Sequence, residues 1–174
     1  MNICVFCSAV LIDEKYTKPS LELVDSFTKL GHNLVWGGSD TGLMSQIANV
    51  AQSNSVKTFG VSVDFLKEVA KKDATEMTVA KDLSERKQIM VDKSDAFLVL
   101  PGGIGTLDEV TEIIEMKKHN YHSDPIVFLN VLNFYEGFKI QFDRMEKEGF
   151  LPEITTPYVE FAENPENALR FLGV

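Results

Sequence analysis

Several things are scarce in this 174-residue chain, and each scarcity narrows the field. Basic residues are few: 17 Lys and Arg stand against 26 Asp and Glu, a net charge of -9, which argues against diffuse attraction to nucleic acid or an anionic membrane. Any phosphate must therefore be caught locally. No apolar run is long enough to cross a bilayer; the first, Ile3 to Ile12, has no basic flank and its first half reads as a buried strand, so the expectation is a cytoplasmic protein. Cysteine is limited to Cys4 and Cys7. Although they spell C-x-x-C, residues an odd number apart on a strand point to opposite faces, and no second Cys/His cluster completes a metal site. His32, His119 and His122 lack ligand spacing as a set, so no metal is expected. There is no Pro/Gly/Ser-rich linker, internal repeat or low-complexity tract, and residues 1–174 read as a single domain. Neither G-x-G-x-x-G nor the P-loop spelling occurs, which weakens a dinucleotide dehydrogenase or an ATPase.

What is present is alternation. Apolar, β-rich runs recur at Ile3–Phe6, Leu34–Trp36, Thr58–Val63, Ala96–Leu100 and Ile126–Leu129. Between and after them, helical spacing covers Lys15–Leu30, Leu43–Ser53, Leu83–Lys93, Leu107–His119, Phe134–Glu148 and Pro165–Phe171. Gly31 suits the end of the first helix, Asp82 can cap the third, and Asn164-Pro165 supplies a cap and first-turn proline for the last. The fold class is α/β: a Rossmann-like, doubly wound, mainly parallel sheet with helices on both faces, which binds ligands at the carboxyl ends of its strands.

Two glycine-rich segments occupy such ends. Pro101-Gly102-Gly103-Ile104-Gly105-Thr106-Leu107-Asp108-Glu109 follows the strand Ala96–Leu100, and Trp36-Gly37-Gly38-Ser39-Asp40-Thr41-Gly42-Leu43-Met44 follows another. Glycine lets the backbone turn sharply and aim N–H groups at an anion, which a helix dipole also favours. Together the loops predict a cleft for a mononucleotide-sized ligand. Between them, Arg86-Lys87 lies near the start of a helix, where cations oppose the dipole, and adjacent helical positions diverge, so the two should play different roles. Glu109 has two readings. It can act as an acid beside the ligand, or complete a capping box, Thr106-x-x-Glu109, by bonding the threonine's own N–H. Asp108, Glu112 and Glu115 read as a solvated acidic face, and Leu107, Val110, Ile113, Ile114 and Met116 as packing surface.

The ordered set Gly37-Gly38-x-x-x-Gly42-Leu43-Met44, Arg86-Lys87 and Pro101-Gly102-Gly103-x-Gly105-Thr106-x-x-Glu109 resembles the LOG (Lonely Guy) family, as do Leu129-Asn130-x-x-x-Phe134-Tyr135 and Glu148-Gly149-Phe150. The resemblance spans nearly the whole chain. It implies a homodimeric enzyme that needs no cofactor and hydrolyses the N-glycosidic bond of a nucleoside 5′-monophosphate, AMP or an N6-substituted cytokinin nucleotide, to free base and ribose 5-phosphate. By matching position it implies Arg86 and Glu109 as the catalytic pair. Glu68, Lys87, Gly37, Gly38, Met44 and the segment Gly102, Gly103, Ile104, Gly105, Thr106 become substrate-binding positions. Cleaving a ribosyl bond builds positive charge on the sugar, so a carboxylate beside the anomeric carbon can stabilise that charge or orient water; a nearby arginine would keep that carboxylate ionised.

The chain departs from the family pattern at Ser39 and Ser45, where glycine is usual, and at Leu83-Ser84-Glu85, Ala9 and Glu115, which bear on substrate identity. Two other functions compete: a non-catalytic nucleotide or molybdenum-cofactor carrier, whose family shares these loops, and a lysine decarboxylase, a label attached to the family. The latter chemistry needs pyridoxal phosphate on a lysine, for which the sequence offers no convincing context.

Overall fold

A computed structural model describes residues 1–152 and 157–174. Seven strands form one sheet: β1 (Asn2–Phe6), β2 (Asn33–Trp36), β3 (Thr58–Val63), β4 (Glu76–Ala80), β5 (Ala96–Val99), β6 (Ile126–Leu129) and β7 (Glu160–Ala162). Their order is β4-β3-β2-β1-β5-β6-β7, and every neighbouring pair is parallel. The inner strands are mostly apolar because both sheet faces are covered. Helices α1 (Glu14–Lys29), α2 (Gly42–Ser53) and α6 (Pro165–Leu172) cover one face. They pack Leu23, Phe27, Ile47 and Leu172 against Ile3, Val5 and Leu34. Helices α3 (Leu83–Asp92), α4 (Ile104–Lys118) and α5 (Glu136–Lys147) cover the other. There Met90, Val110, Ile113 and Phe142 meet Cys4, Phe6, Phe97 and Phe128. Cys4 and Cys7 are buried, free and on opposite faces.

The doubly wound fold is therefore as expected, with two strands added. β4 and β7 are the sheet's edges; β4 is partly exposed and carries polar residues, and β7 is three residues long, so neither shows the apolar run of a central strand. The predicted caps form. Asp82 accepts from the Glu85 backbone and Asn164 from the Asn167 backbone, while Gly31 adopts φ +86° just beyond α1. Four helix starts differ from the expected ones: α1 and α2 begin one residue earlier, α5 two residues later, and α4 at Ile104, three residues before the predicted Leu107, with Gly103 as its N-cap. The strand order reverses between β1 and β5, and the loops leaving β1, β2 and β5 meet at that point, where a doubly wound sheet opens a crevice.

Candidate active site

The crevice is a cleft of about 480 Å³. Its walls are Cys7–Val10 after β1, Gly37, Ser39, Thr41 and Met44 around the start of α2, Leu66 and Val69 from a 3₁₀ segment, Arg86 from α3, and Gly103, Gly105, Thr106 and Glu109 from α4. The two glycine loops thus face one space.

Arg86 is the hub. Its Nη1 donates to Glu109 Oε1 at 2.7 Å, its Nε to the Val61 carbonyl at 2.7 Å and its Nη2 to the Gly37 carbonyl at 3.2 Å. A guanidinium has five N–H donors in a fixed fork, so three anchor the residue to β3, the β2–α2 loop and α4 while two stay available to a ligand oxygen. Gly37 is required for this approach: a Cβ there would sit 2.1 Å from Arg86 Nη2. Gly42 is required differently, because at φ +57° its Cβ would lie 2.4 Å from the backbone of Ala9 and Val10. The cost of placing cations early in α3 is moderated locally, with Asp82 as cap and Glu85 reaching back to the Lys81 N–H.

Glu109 is only 5% exposed, yet it lines the cleft. Burial pushes its carboxyl above the usual carboxylate range, and the Arg86 guanidinium pulls it only partly back. The arginine therefore does less to keep it ionised than the sequence suggested. The capping-box reading is corrected too. Since α4 begins at Ile104, Thr106 is already helical and Glu109 lies in the second turn, with its carboxylate on Arg86. No side chain caps α4; Gly103 and Gly105 have open space where a Cβ would be, and Gly103, Gly105 and Thr106 line the cleft at this helix start, whose first N–H groups have no partner within the helix. Such an end suits an anion. Gly102 supports the loop from behind, where a Cβ would strike Thr106 Oγ1 at 2.2 Å.

Other expected site residues lie elsewhere. Lys87 points away from Arg86, as divergent positions predicted, and is buried against α4, where Nζ contacts Asp108 Oδ2 at 3.0 Å and also Glu112. Burial pulls its ammonium down, but Glu112 and Asp108 more than offset this and hold it above the usual lysine value. Asp108 and Glu112 are thus this lysine's partners rather than a purely solvated face, whereas exposed Glu115 pairs with Lys118 and His119 outside the cleft walls. Glu68 is exposed and lines a neighbouring hollow with Asp40, Lys71 and Asp73; its neighbours Leu66 and Val69 reach the cleft instead. Gly38, at φ +74°, turns the β2 loop and packs on Val61, and Ile104 is 83% exposed at the mouth. Ser39 does not adopt the left-handed region, so serine is unstrained there, and Ser45 donates to Asp40 at 2.8 Å. Ser84 is exposed on the first turn of α3. The sequence reading missed Val10, Leu66 and Val69 as apolar walls; the only signal for them was their place just after strand ends.

A family model described as "possible lysine decarboxylase" matches residues 44–172. A protein of Mycobacterium tuberculosis named cytokinin riboside 5′-monophosphate phosphoribohydrolase is 32% identical over 171 residues, covering 97% of this chain and 91% of that one. The chain belongs to the LOG family. Another LOG relative, the rice protein named probable cytokinin riboside 5′-monophosphate phosphoribohydrolase LOGL1, is 34% identical over 97% of this chain and 77% of its own length. The LOG fold also resembles the molybdenum cofactor binding protein of Rippkaea orientalis (TM-score 0.75, 20% identity, 99% of this chain and 94% of that one). At that identity the likeness concerns the fold alone.

Proposed function

We propose that this LOG-family chain hydrolyses the N-glycosidic bond of a nucleoside 5′-monophosphate, AMP or an N6-substituted cytokinin nucleotide, releasing free base and ribose 5-phosphate. The observation that carries this reading is the buried Arg86–Glu109 pair beside the uncapped start of α4. The 5′-phosphate sits on the N–H groups of Ile104–Thr106, with Gly102 and Gly103 shaping the turn. The ribose then lies over Glu109, and the base over Met44, Leu66 and Val69.

As the bond to the base breaks, the sugar gains positive charge. Ionised Glu109 stabilises that charge and orients the water whose oxygen bonds to the anomeric carbon, while the base leaves with the bonding pair and takes up a proton. With its proton affinity raised, Glu109 also suits receiving the water's proton. Arg86 holds Glu109 and offers its two remaining donors to substrate oxygens.

A decarboxylase reading finds little support. The buried lysines among the described residues are Lys71, Lys87 and Lys117; each ammonium is held by carboxylates or carbonyls, and none lines the cleft. The carrier reading has only the shared fold behind it. We further infer a cytoplasmic homodimer from the family resemblance, supported by the exposed apolar side chains of Val10, Leu66 and Ile104 near the cleft mouth; light scattering after gel filtration tests the dimer. For the activity, the protein is incubated with AMP, adenosine and cytokinin nucleotides and the products are separated by chromatography. Free base from monophosphates is expected. Cleavage of adenosine with AMP left intact would contradict the phosphate site, and a tightly retained pterin without base release would favour the carrier.

A further inference from the structure

Tyr135 stands outside the cleft walls, yet it touches the chain where the glycine loop leaves β5. Its hydroxyl donates to the Leu100 carbonyl at 2.7 Å, and the Gly102 N–H faces the hydroxyl oxygen itself. One phenol therefore bridges the two sides of Pro101, which has no N–H of its own to hold this turn. The Leu100 N–H is fixed from the opposite side by the Phe6 carbonyl at 2.9 Å.

Tyr135 is itself built in firmly. Its backbone N–H donates to Asn130 Oδ1 at 2.6 Å, and the Asn130 N–H donates to the Ala162 carbonyl at 2.7 Å. Its ring packs edge-on against Phe128, with centroids 5.0 Å apart. Between Asn130 and Tyr135 the backbone takes the left-handed region twice, at Leu132 (φ +53°) and Asn133 (φ +58°). Asparagine tolerates that region, but a leucine adopts it only where the surroundings hold it there. The strained turn and its two buried side chains deliver one hydroxyl to one loop.

We propose that Tyr135 is a positioning residue that aims the Gly102–Thr106 backbone at the substrate's phosphate, with Asn130 fixing Tyr135 in turn. The inference rests on the phosphate reading of that loop. Tyr135 touches no reacting atom, so its loss should weaken phosphate binding more than it slows bond cleavage.

The test compares wild type with Tyr135→Phe, which keeps the ring and removes only the hydroxyl, and with Asn130→Ala, which keeps the hydroxyl and frees its support. AMP hydrolysis gives kcat and KM, calorimetry gives AMP affinity, inorganic phosphate serves as a competing anion, and thermal melts report the fold. In Tyr135→Phe, KM and Kd for AMP and the inhibition constant for phosphate are expected to rise together by about tenfold, the scale of one lost buried hydrogen bond, while kcat changes less than about threefold. Asn130→Ala should shift the same constants in the same direction, and it carries the test if Tyr135→Phe does not fold. A lowered melting temperature with those constants unchanged, or a fall in kcat alone, overturns the proposal. If wild type binds AMP without releasing adenine, the hydrolase reading fails while the affinity comparison still decides the role of Tyr135. If wild type binds neither AMP nor phosphate, both fall.

Discussion

Arg86 and Glu109 meet at 2.7 Å beside the cleft from two different helices, both almost wholly buried, and the missing side chain of Gly37 leaves room for the other end of the guanidinium. The pair joins α3 to α4 and also lines the cleft beside the uncapped start of α4.

Glu109→Gln separates its charge from its shape. Since no capping role exists for Glu109, the amide should preserve the start of α4 while lowering kcat for AMP by about 10²–10³-fold, the scale of losing one preorganised electrostatic group. Glu109→Ala should be at least as inactive. Undiminished base release by Glu109→Gln, measured by chromatography, would remove Glu109 from the mechanism.

The pH dependence follows from burial. Because the Glu109 carboxyl lies above its ordinary range, the ionised form needed for catalysis is lost as pH falls through that raised value. The acid limb of the kcat profile should therefore sit above the usual glutamate range. Arg86→Gln removes the charge that pulls the carboxyl back, so any residual activity should show this limb at still higher pH. The same change leaves a buried carboxylate unpaired and should cost about 3–5 kcal/mol of stability in urea unfolding. An acid limb that moved to lower pH in Arg86→Gln would contradict the pairing.

Two glycines should fail in distinguishable ways. Gly37→Ala drives a methyl into Arg86 Nη2 and is expected to reduce kcat more than it reduces stability, because the guanidinium is the movable neighbour. Gly42→Ala meets the backbone of Ala9 and Val10 and also takes a left-handed φ, so a loss of about 1–3 kcal/mol in stability is expected. Parallel melting and kinetic measurements on both variants check the contrast.

Lys87 discriminates between scaffold and contact. Held by Asp108 and Glu112, it should act mainly by tethering α3 to α4. Lys87→Met is expected to lose about 1–3 kcal/mol of stability with KM for AMP little changed. A large rise in KM at unaltered stability would instead make it the nucleotide contact implied by the family resemblance.

The sequence by itself determined the alternation of apolar runs and amphipathic helices, and hence the doubly wound sheet, because burial on both faces writes long apolar strands into the chain. It also determined the caps at Asp82 and Asn164 and the glycine loops, since these depend on residues a few positions apart. Edge strands β4 and β7 escaped it, being half-exposed or very short. So did the direction of each side chain at the site. Thr106-x-x-Glu109 is a sound local capping box, and only the three-residue earlier start of α4, with Arg86 arriving from another helix, turned Glu109 inward. Lys87 matched a binding position by order along the chain, but the acidic pair on α4 claimed it. Tyr135 gave no sign of its link to Leu100, 35 residues earlier, because contacts at such separation form only when the sheet brings β5 and the β6–α5 connection together. Local chemistry fixed the elements and their ends; which charges meet, and which stay free for a ligand, was decided by long-range packing that no spacing along the chain encodes.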